Sequence, residues 1–135
     1  MGVGKISGPI DIAVSGLRAE SLRMKVIADN IANAETSRTE SGGPYRRQHV
    51  ALATPGRGLA GVQVEGVVAD MSTAFKQVYM PGHPHANAEG MVLMPNVDLP
   101  VEMMNLVVAS RAYQANAAVL KRYQDMVDVT LELLR

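Results

Sequence analysis

Residues 97–135 read VDLPVEMMNLVVASRAYQANAAVLKRYQDMVDVTLELLR, and the spacing within this stretch decides the fold. Side chains recur at alternating three- and four-residue steps through Leu99, Met103, Leu106, Ser110, Tyr113, Ala117, Leu120, Gln124, Val127, Leu131 and Leu134. All but Ser110 and Gln124 are apolar, which is the pattern of a long helix made to lie against another helix. Asp98 is a good N-cap, Pro100 is tolerated in a first turn, and Glu102 complements the positive end of the helix dipole. A helix is therefore predicted over 98–134, about 54 Å long at the usual rise. Lys121 and Asp125 stand four apart on its outer side, a pair worth a few tenths of a kcal/mol.

Working outward, the other end of the chain carries a matching stripe of Ile10, Val14, Leu17, Ser21, Met24, Ala28 and Ile31. Pro9 suits a first helical turn and Asp11 the N-terminal end, so a second helix is predicted over 9–33, about 38 Å long. Gly16 is its weak point, costing about 1 kcal/mol against Ala. Ser21 and Ala28 in this helix and Ser110 and Ala117 in the other are small, which predicts a close approach of the two. The longer helix outruns the shorter, leaving Val127, Leu131 and Leu134 to find apolar cover elsewhere. Asn30 and Asn33 stand at the exit, where Asn commonly takes the left-handed cap conformation. Residues 1–8 are small and Gly-rich and are expected to be disordered until something docks on them.

Between the helices the composition changes. Residues 35–44 are loop-forming, with Gly42-Gly43-Pro44 marking a turn. Short strands are predicted over 45–52, 62–69, 75–80 and 90–94, with Gly66 a candidate bulge and Pro81-Gly82-His83-Pro84 a punctuated gap. The fold class that follows is α+β. The long N- and C-terminal helices pack as an antiparallel, coiled-coil-like pair around a small antiparallel β-rich middle (34–97), all within one subunit spanning 1–135.

The composition excludes several functions. At 135 residues, 47% of them hydrophobic and 19% charged, the chain is long enough for one domain with a real core. Thirteen basic and thirteen acidic side chains cancel, so no field steers the chain to nucleic acid or an anionic membrane, and self-association is mildly favoured. With no cysteine there is no disulfide, zinc–thiolate site or thiol nucleophile. Pro9, Asp11 and Ser15 interrupt the apolar run that a secretory signal needs, so no cleaved signal is expected, and no stretch is apolar enough to span a bilayer. Nine methionines against four Tyr, one Phe and no Trp suit surfaces that adapt to more than one neighbour.

No catalytic constellation emerges. His83-Pro84-His85, with His49 or Glu89, has metal-ligand chemistry, but a Pro-Gly turn does not hold such geometry and solvated turn histidines are the expectation. No serine sits in a nucleophile elbow. Gly56-Arg57-Gly58-Leu59-Ala60-Gly61 matches a phosphate-loop spacing by chance, since it follows no buried strand and opens no helix. Arg46-Arg47 beside Tyr45 lacks a stacking platform for RNA and reads as a solvated strand face. The chain is expected to be no enzyme, with no cofactor, no metal, no nucleic-acid partner and no small-molecule substrate.

Three segments carry a resemblance. Ala28-Asp29-Asn30-Ile31-Ala32-Asn33-Ala34 is similar to the asparagine-bearing motif of the bacterial flagellar axial proteins. The run Tyr79-Met80-Pro81-Gly82-His83-Pro84, then Ala86, Gly90, Val92 and Pro95-Asn96-Val97-Asp98, resembles one proximal-rod family among them. Glu102-Met103-Met104-Asn105 with Ala109-Ser110-Arg111-Ala112-Tyr113-Gln114-Ala115-Asn116 is similar to their C-terminal helix. The likeness runs over nearly the whole chain. Met91 departs from it, standing where an aromatic residue is frequent, and the loop around 37–43 looks locally variable.

The resemblance implies a structural subunit of the flagellar basal-body rod, exported through the flagellar type III apparatus without a cleaved signal. It polymerises across the periplasm into a hollow drive shaft that transmits torque and passes exported subunits. Its partners would be other rod subunits, copies of itself, the export apparatus, and membrane-ring and adaptor proteins of the basal body. The assembly interface would fall on Ile10, Val14, Leu17, Met24, Asn30, Ile31 and Asn33 in the first helix. In the second it would fall on Leu99, Met103, Leu106, Tyr113, Asn116, Leu120, Val127 and Leu131. A free-standing helical-hairpin binding or adaptor module is the alternative from another class.

Overall fold

The computed structural model describes residues 8–56 and 61–134. The expectation for residues 1–7 and the phosphate-loop-like stretch at 57–60 lie outside the described residues. Six elements follow in order: α1 (Pro9–Ala32), β1 (Gln48–Ala53), β2 (Gln63–Ala69), β3 (Lys76–Tyr79), β4 (Met91–Met94) and α2 (Leu99–Leu133). The architecture is the expected α+β arrangement, two terminal helices packed on each other with short antiparallel strand pairs between them in sequence.

Local chemistry sets the helix ends. In α2, Asp98 caps as anticipated, its carboxylate accepting from the Val101 N–H at 3.3 Å. In α1, Pro9 occupies the first turn and the Gly8 carbonyl accepts from Ile12. The exit differs from expectation. Asn33 has φ −103° and ψ 14°, and no non-glycine residue among those described has positive φ. Asn33 closes α1 with its side chain instead: Nδ2 donates to the Asp29 carbonyl at 2.9 Å, and Oδ1 accepts from the Thr36 hydroxyl at 3.2 Å.

The strands form the antiparallel middle as two separate two-stranded ladders, β1–β2 and β3–β4. Asn96 Nδ2 donates to the carbonyls of Asp70 and Thr73, so side-chain bonds tie the turn after β2 to the segment after β4. The bulge stands where Gly66 suggested it, the register slipping between Ala51 and Leu52 opposite the Val64–Gly66 segment. Gly90, at φ +77°, turns the chain back against the Tyr79 ring, where a Cβ would lie 2.8 Å from that ring.

Two contacts fix the helix pair. A Cβ on Gly16 would meet Asn116 Nδ2 at 2.7 Å, and Asn30 reaches Glu102. The same number of residues separates Gly16 from Asn30 as Glu102 from Asn116, so the helices run antiparallel in one register. That register sets Pro9 level with Tyr123, and beyond Tyr123 every described residue of α2 is exposed.

Candidate functional site

The seam between the helices is not formed by the two stripes. Its buried and half-buried positions are Ala13, Gly16, Glu20, Arg23, Ile27 and Asn30 on α1, and Glu102, Asn105, Ala109, Ala112 and Asn116 on α2. Each stripe is displaced from its seam by one residue, about 100° around the helix. Small and polar side chains let the backbones approach, so close contact falls on Gly16 and the alanines. Ser21 and Ala28 are exposed.

The stripes therefore flank the seam. Tyr113 shares a shallow groove with Leu17 and Ser21, which places the two stripes side by side on one face of the helix pair. Asn105 shares the opposite groove with His49, Val50 and Leu52, so the β1–β2 ladder packs against α1 on the other face. On the bare face Leu99, Met103 and Tyr113 are exposed, while Ile10, Val14, Leu17, Met24, Ile31, Leu106 and Leu120 are half-buried. Val127 and Leu131 lie on the overhang and are exposed. Asn30 and Asn116 belong to the internal seam, and Asn33 to the α1 exit.

A buried polar junction joins the helix pair to the strands, and the sequence reading did not anticipate it. Asn30 is 0% exposed and all four of its hydrogen-bonding positions are used. Its Oδ1 accepts from the Gln48 N–H and the Tyr45 hydroxyl, both at 2.9 Å. Its Nδ2 donates to the Gln48 carbonyl at 2.8 Å and to Glu102 Oε2 at 3.0 Å. The amide thus grips both backbone groups of Gln48, as a neighbouring strand would. Burial holds the Tyr45 phenol above its ordinary range, with the charges of Asp29 and Glu102 acting in the same direction.

Glu102 stands in the first turn of α2, where it complements the helix dipole, and it is also 0% exposed. Its other oxygen accepts from Arg47 Nε at 2.6 Å, a charge-assisted pair. Arg47 also donates its backbone N–H to Asn96 Oδ1 at 2.8 Å. Arg46 lies 4.1 Å over the Phe75 ring and donates to the Asp70 carbonyl at 3.0 Å. The arginine pair is thus internal scaffolding, not the solvated strand face predicted. Asp70 accepts from the hydroxyls and N–H groups of Ser72 and Thr73, and these bonds hold its carboxyl well below the usual range. Lys76 Nζ donates to the Val97 carbonyl at 2.7 Å, tying β3 to the entry of α2.

The remaining candidates do not converge. The rings of His83 and His85 stand edge to face at 5.2 Å, and His85 Nδ1 pairs with the Ser37 hydroxyl at 2.8 Å. His49 lies on β1. Among the described residues no three His, Asp or Glu side chains come together to hold a metal. Lys121 and Asp125 form no ion pair, since both side chains are exposed and water competes for each. No described helix is long and apolar enough to cross a membrane. What the molecule offers is a rigid joint and a bare apolar face.

Comparison with known proteins falls on the same elements. The family described as "Flagella basal body rod protein" matches residues 10–38, covering α1 and its exit. That described as "Flagellar basal body rod FlgEFG protein C-terminal" matches 88–133, covering β4 and α2. The flagellar basal-body rod protein FlgC of Salmonella typhimurium is 45% identical over 126 residues, spanning 91% of this chain and 93% of its own. The protein of the same name from Borreliella burgdorferi is 38% identical, spanning 93% and 95%, and that of Bacillus subtilis 34%, spanning 92% and 95%.

Proposed function

Because the chain belongs to the FlgC family of flagellar basal-body rod proteins, we propose that its bare helix face is the surface through which it polymerises. The chain is a structural subunit of the basal-body rod and not an enzyme, and it assembles with other rod subunits and with itself. The observation that carries the proposal is the displacement of both stripes from the internal seam. Large apolar side chains, including Leu99, Met103 and Tyr113, stand exposed where a monomer gains nothing from them. The α2 overhang continues the same need, with Leu131 58% and Leu134 79% exposed.

The mechanism is architectural. A rod requires an interface that repeats without closing on itself, and long helices packed side by side supply one. Burying the stripe residues of Ile10, Val14, Leu17, Met24 and Ile31 with Leu99, Met103, Leu106, Leu120, Val127 and Leu131 stiffens the shaft against torque. The Asn30–Glu102–Arg47 junction holds the strand-bearing middle at a fixed angle to the helices, so load on one passes to the other. In this reading the subunit sits in the proximal part of a hollow shaft. It reaches that place through the flagellar type III export apparatus, and the strand pairs face ring, adaptor and neighbouring rod proteins.

Mass spectrometry of detergent-extracted hook–basal bodies from the source bacterium tests this. The chain is expected there at a few copies per structure, and lost from the structure in a Met103→Asp strain that still exports it. Recovery of Met103→Asp at wild-type level would remove the bare face from the assembly surface.

A further inference from the structure

The free edge of β4 borders a cleft, and one rung of that edge is open. Two bonds fix the phase of the β3–β4 ladder: Met80 donates its N–H to the Gly90 carbonyl, and Asn87 donates its own to the Met91 carbonyl. Met80–Gly90 and Val78–Val92 are therefore hydrogen-bonded pairs, and the N–H and C=O groups of Met91 and Leu93 point away from β3. Asn87 takes both groups of Met91, its Oδ1 accepting from the Met91 N–H at 2.8 Å. Pro95, the next outward-facing residue after Leu93, has no N–H to offer. Between these two stops, both backbone groups of Leu93 have no partner among the described residues.

Met91, Val92 and Leu93 line one side of a cleft of about 560 Å³, and Ser37, Arg38 and Pro44, from the loop that leaves α1, line the other. The walls are tied at both ends of β4. Before it the Ser37 hydroxyl pairs with His85 Nδ1 at 2.8 Å, and after it Asn96 Oδ1 accepts from the Arg47 N–H at 2.8 Å. The cleft is thus preformed and within the usual size of a ligand site.

Chemistry narrows the occupant. An open strand edge is matched by another polypeptide in extended form, which offers a C=O to the Leu93 N–H and an N–H to its C=O. Arg38 makes no ion pair with the described residues, whereas Glu89, the acid of the lining, turns back to accept from Asn87 Nδ2 at 3.2 Å. A carboxylate on the occupant answers the free guanidinium. Residues 1–8 of this chain hold Lys5 and no acid, so the N-terminal segment of a second copy is not the match.

We propose that β4 and the 37–44 loop take up an extended acidic segment of a partner protein. It pairs with Leu93 through its backbone and with Arg38 through a carboxylate. Leu93, 46% exposed, and Met91 supply apolar contact for the side chains on either side of the acid. The contact spans three to four residues of the segment, about 10–13 Å.

Titration of the isotope-labelled full chain with the peptide Ac-Thr-Val-Glu-Val-Thr-amide, followed by NMR, tests this. Saturable shifts at the Leu93 and Arg38 amides are expected. Lysine in the central place should weaken binding at least about tenfold. A peptide N-methylated at its three central residues, which cannot donate from its backbone, should not bind. Arg38→Glu should reverse the preference to the lysine peptide, with unchanged Asn30 side-chain amide signals showing that the fold is intact. Equal binding of the glutamate and lysine peptides would overturn the proposal. So would binding of the N-methylated peptide, shifts that leave Leu93 untouched, or no saturable shift at all. None of these readouts involves the bare helix face, so their failure leaves the assembly surface standing.

Discussion

Asn30 Nδ2 donates to Glu102 Oε2 at 3.0 Å across 72 residues of sequence, and neither residue has any solvent exposure. This one contact joins α1 to α2 while the rest of the Asn30 amide holds Gln48 and Tyr45. Asn30 is thus spent on the internal joint and is unavailable to a neighbouring subunit.

Replacing Asn30 by Ala strands the Gln48 backbone groups, the Tyr45 hydroxyl and one Glu102 oxygen. At about 1–3 kcal/mol for each buried group left unpaired, a loss of at least 3 kcal/mol is expected in urea unfolding. Asn30→Asp should cost more than Asn30→Ala at neutral pH, because it sets a second carboxylate beside buried Glu102. The reverse order would show that the site admits water.

Glu102→Leu alone should cost about 1–3 kcal/mol, because the buried Asn30 amide loses an acceptor and Arg47 keeps only its 4.0 Å contact with Asp70. Joining it to Arg47→Met should recover the part of that loss that comes from the arginine, and leave the part that comes from Asn30. A double-mutant cycle read by thermal unfolding checks the coupling.

Asp70 and Tyr45 give the stability opposite pH limits. The folded-state pKa of Asp70 is lowered, so its contribution is full above the unfolded value near 4 and is lost as pH falls through the folded value. Tyr45 is raised, so its contribution is full below the unfolded value near 10 and is lost as pH rises through the folded value. Asp70→Asn should flatten the acid limb of a stability–pH curve and Tyr45→Phe the alkaline limb, each leaving the other unchanged.

The sequence made legible what depends on periodicity and turn chemistry. Both helices, the Asp98 cap, the four strand segments and the Gly66 bulge all follow from spacing, capping residues and glycine placement. The internal seam was hidden because the close approach selects Gly16, Ala109 and Asn116, which hydrophobicity passes over in favour of the larger residues beside them. The polar junction was hidden for a different reason. Glu102 has the position of a dipole-complementing residue, Arg47 that of a solvated strand charge, and only the fold brings the two to 2.6 Å.

Gly16→Leu separates the seam from the stripe. A side chain there meets Asn116 and must push the helices apart, so a cost of about 1–3 kcal/mol is expected in the isolated chain. Gly16→Ala should stay within about 1 kcal/mol of wild type, because Asn116 shifts to accept one methyl while helix propensity improves.

Leu106→Asp and Leu120→Asp are expected to abolish assembly with export largely intact, but both residues are half-buried and their loss also disturbs the monomer. Met103 gives the cleaner test. At 56% exposure it touches little within the chain, so Met103→Asp should move the unfolding midpoint by no more than about 0.5 kcal/mol. The same change sets a carboxylate on the apolar face, where docking removes its water without supplying a partner. Export at wild-type level, a normal unfolding curve and absence from purified basal bodies are expected together. A Met103→Asp chain that unfolds early would return the stripe to the monomer core.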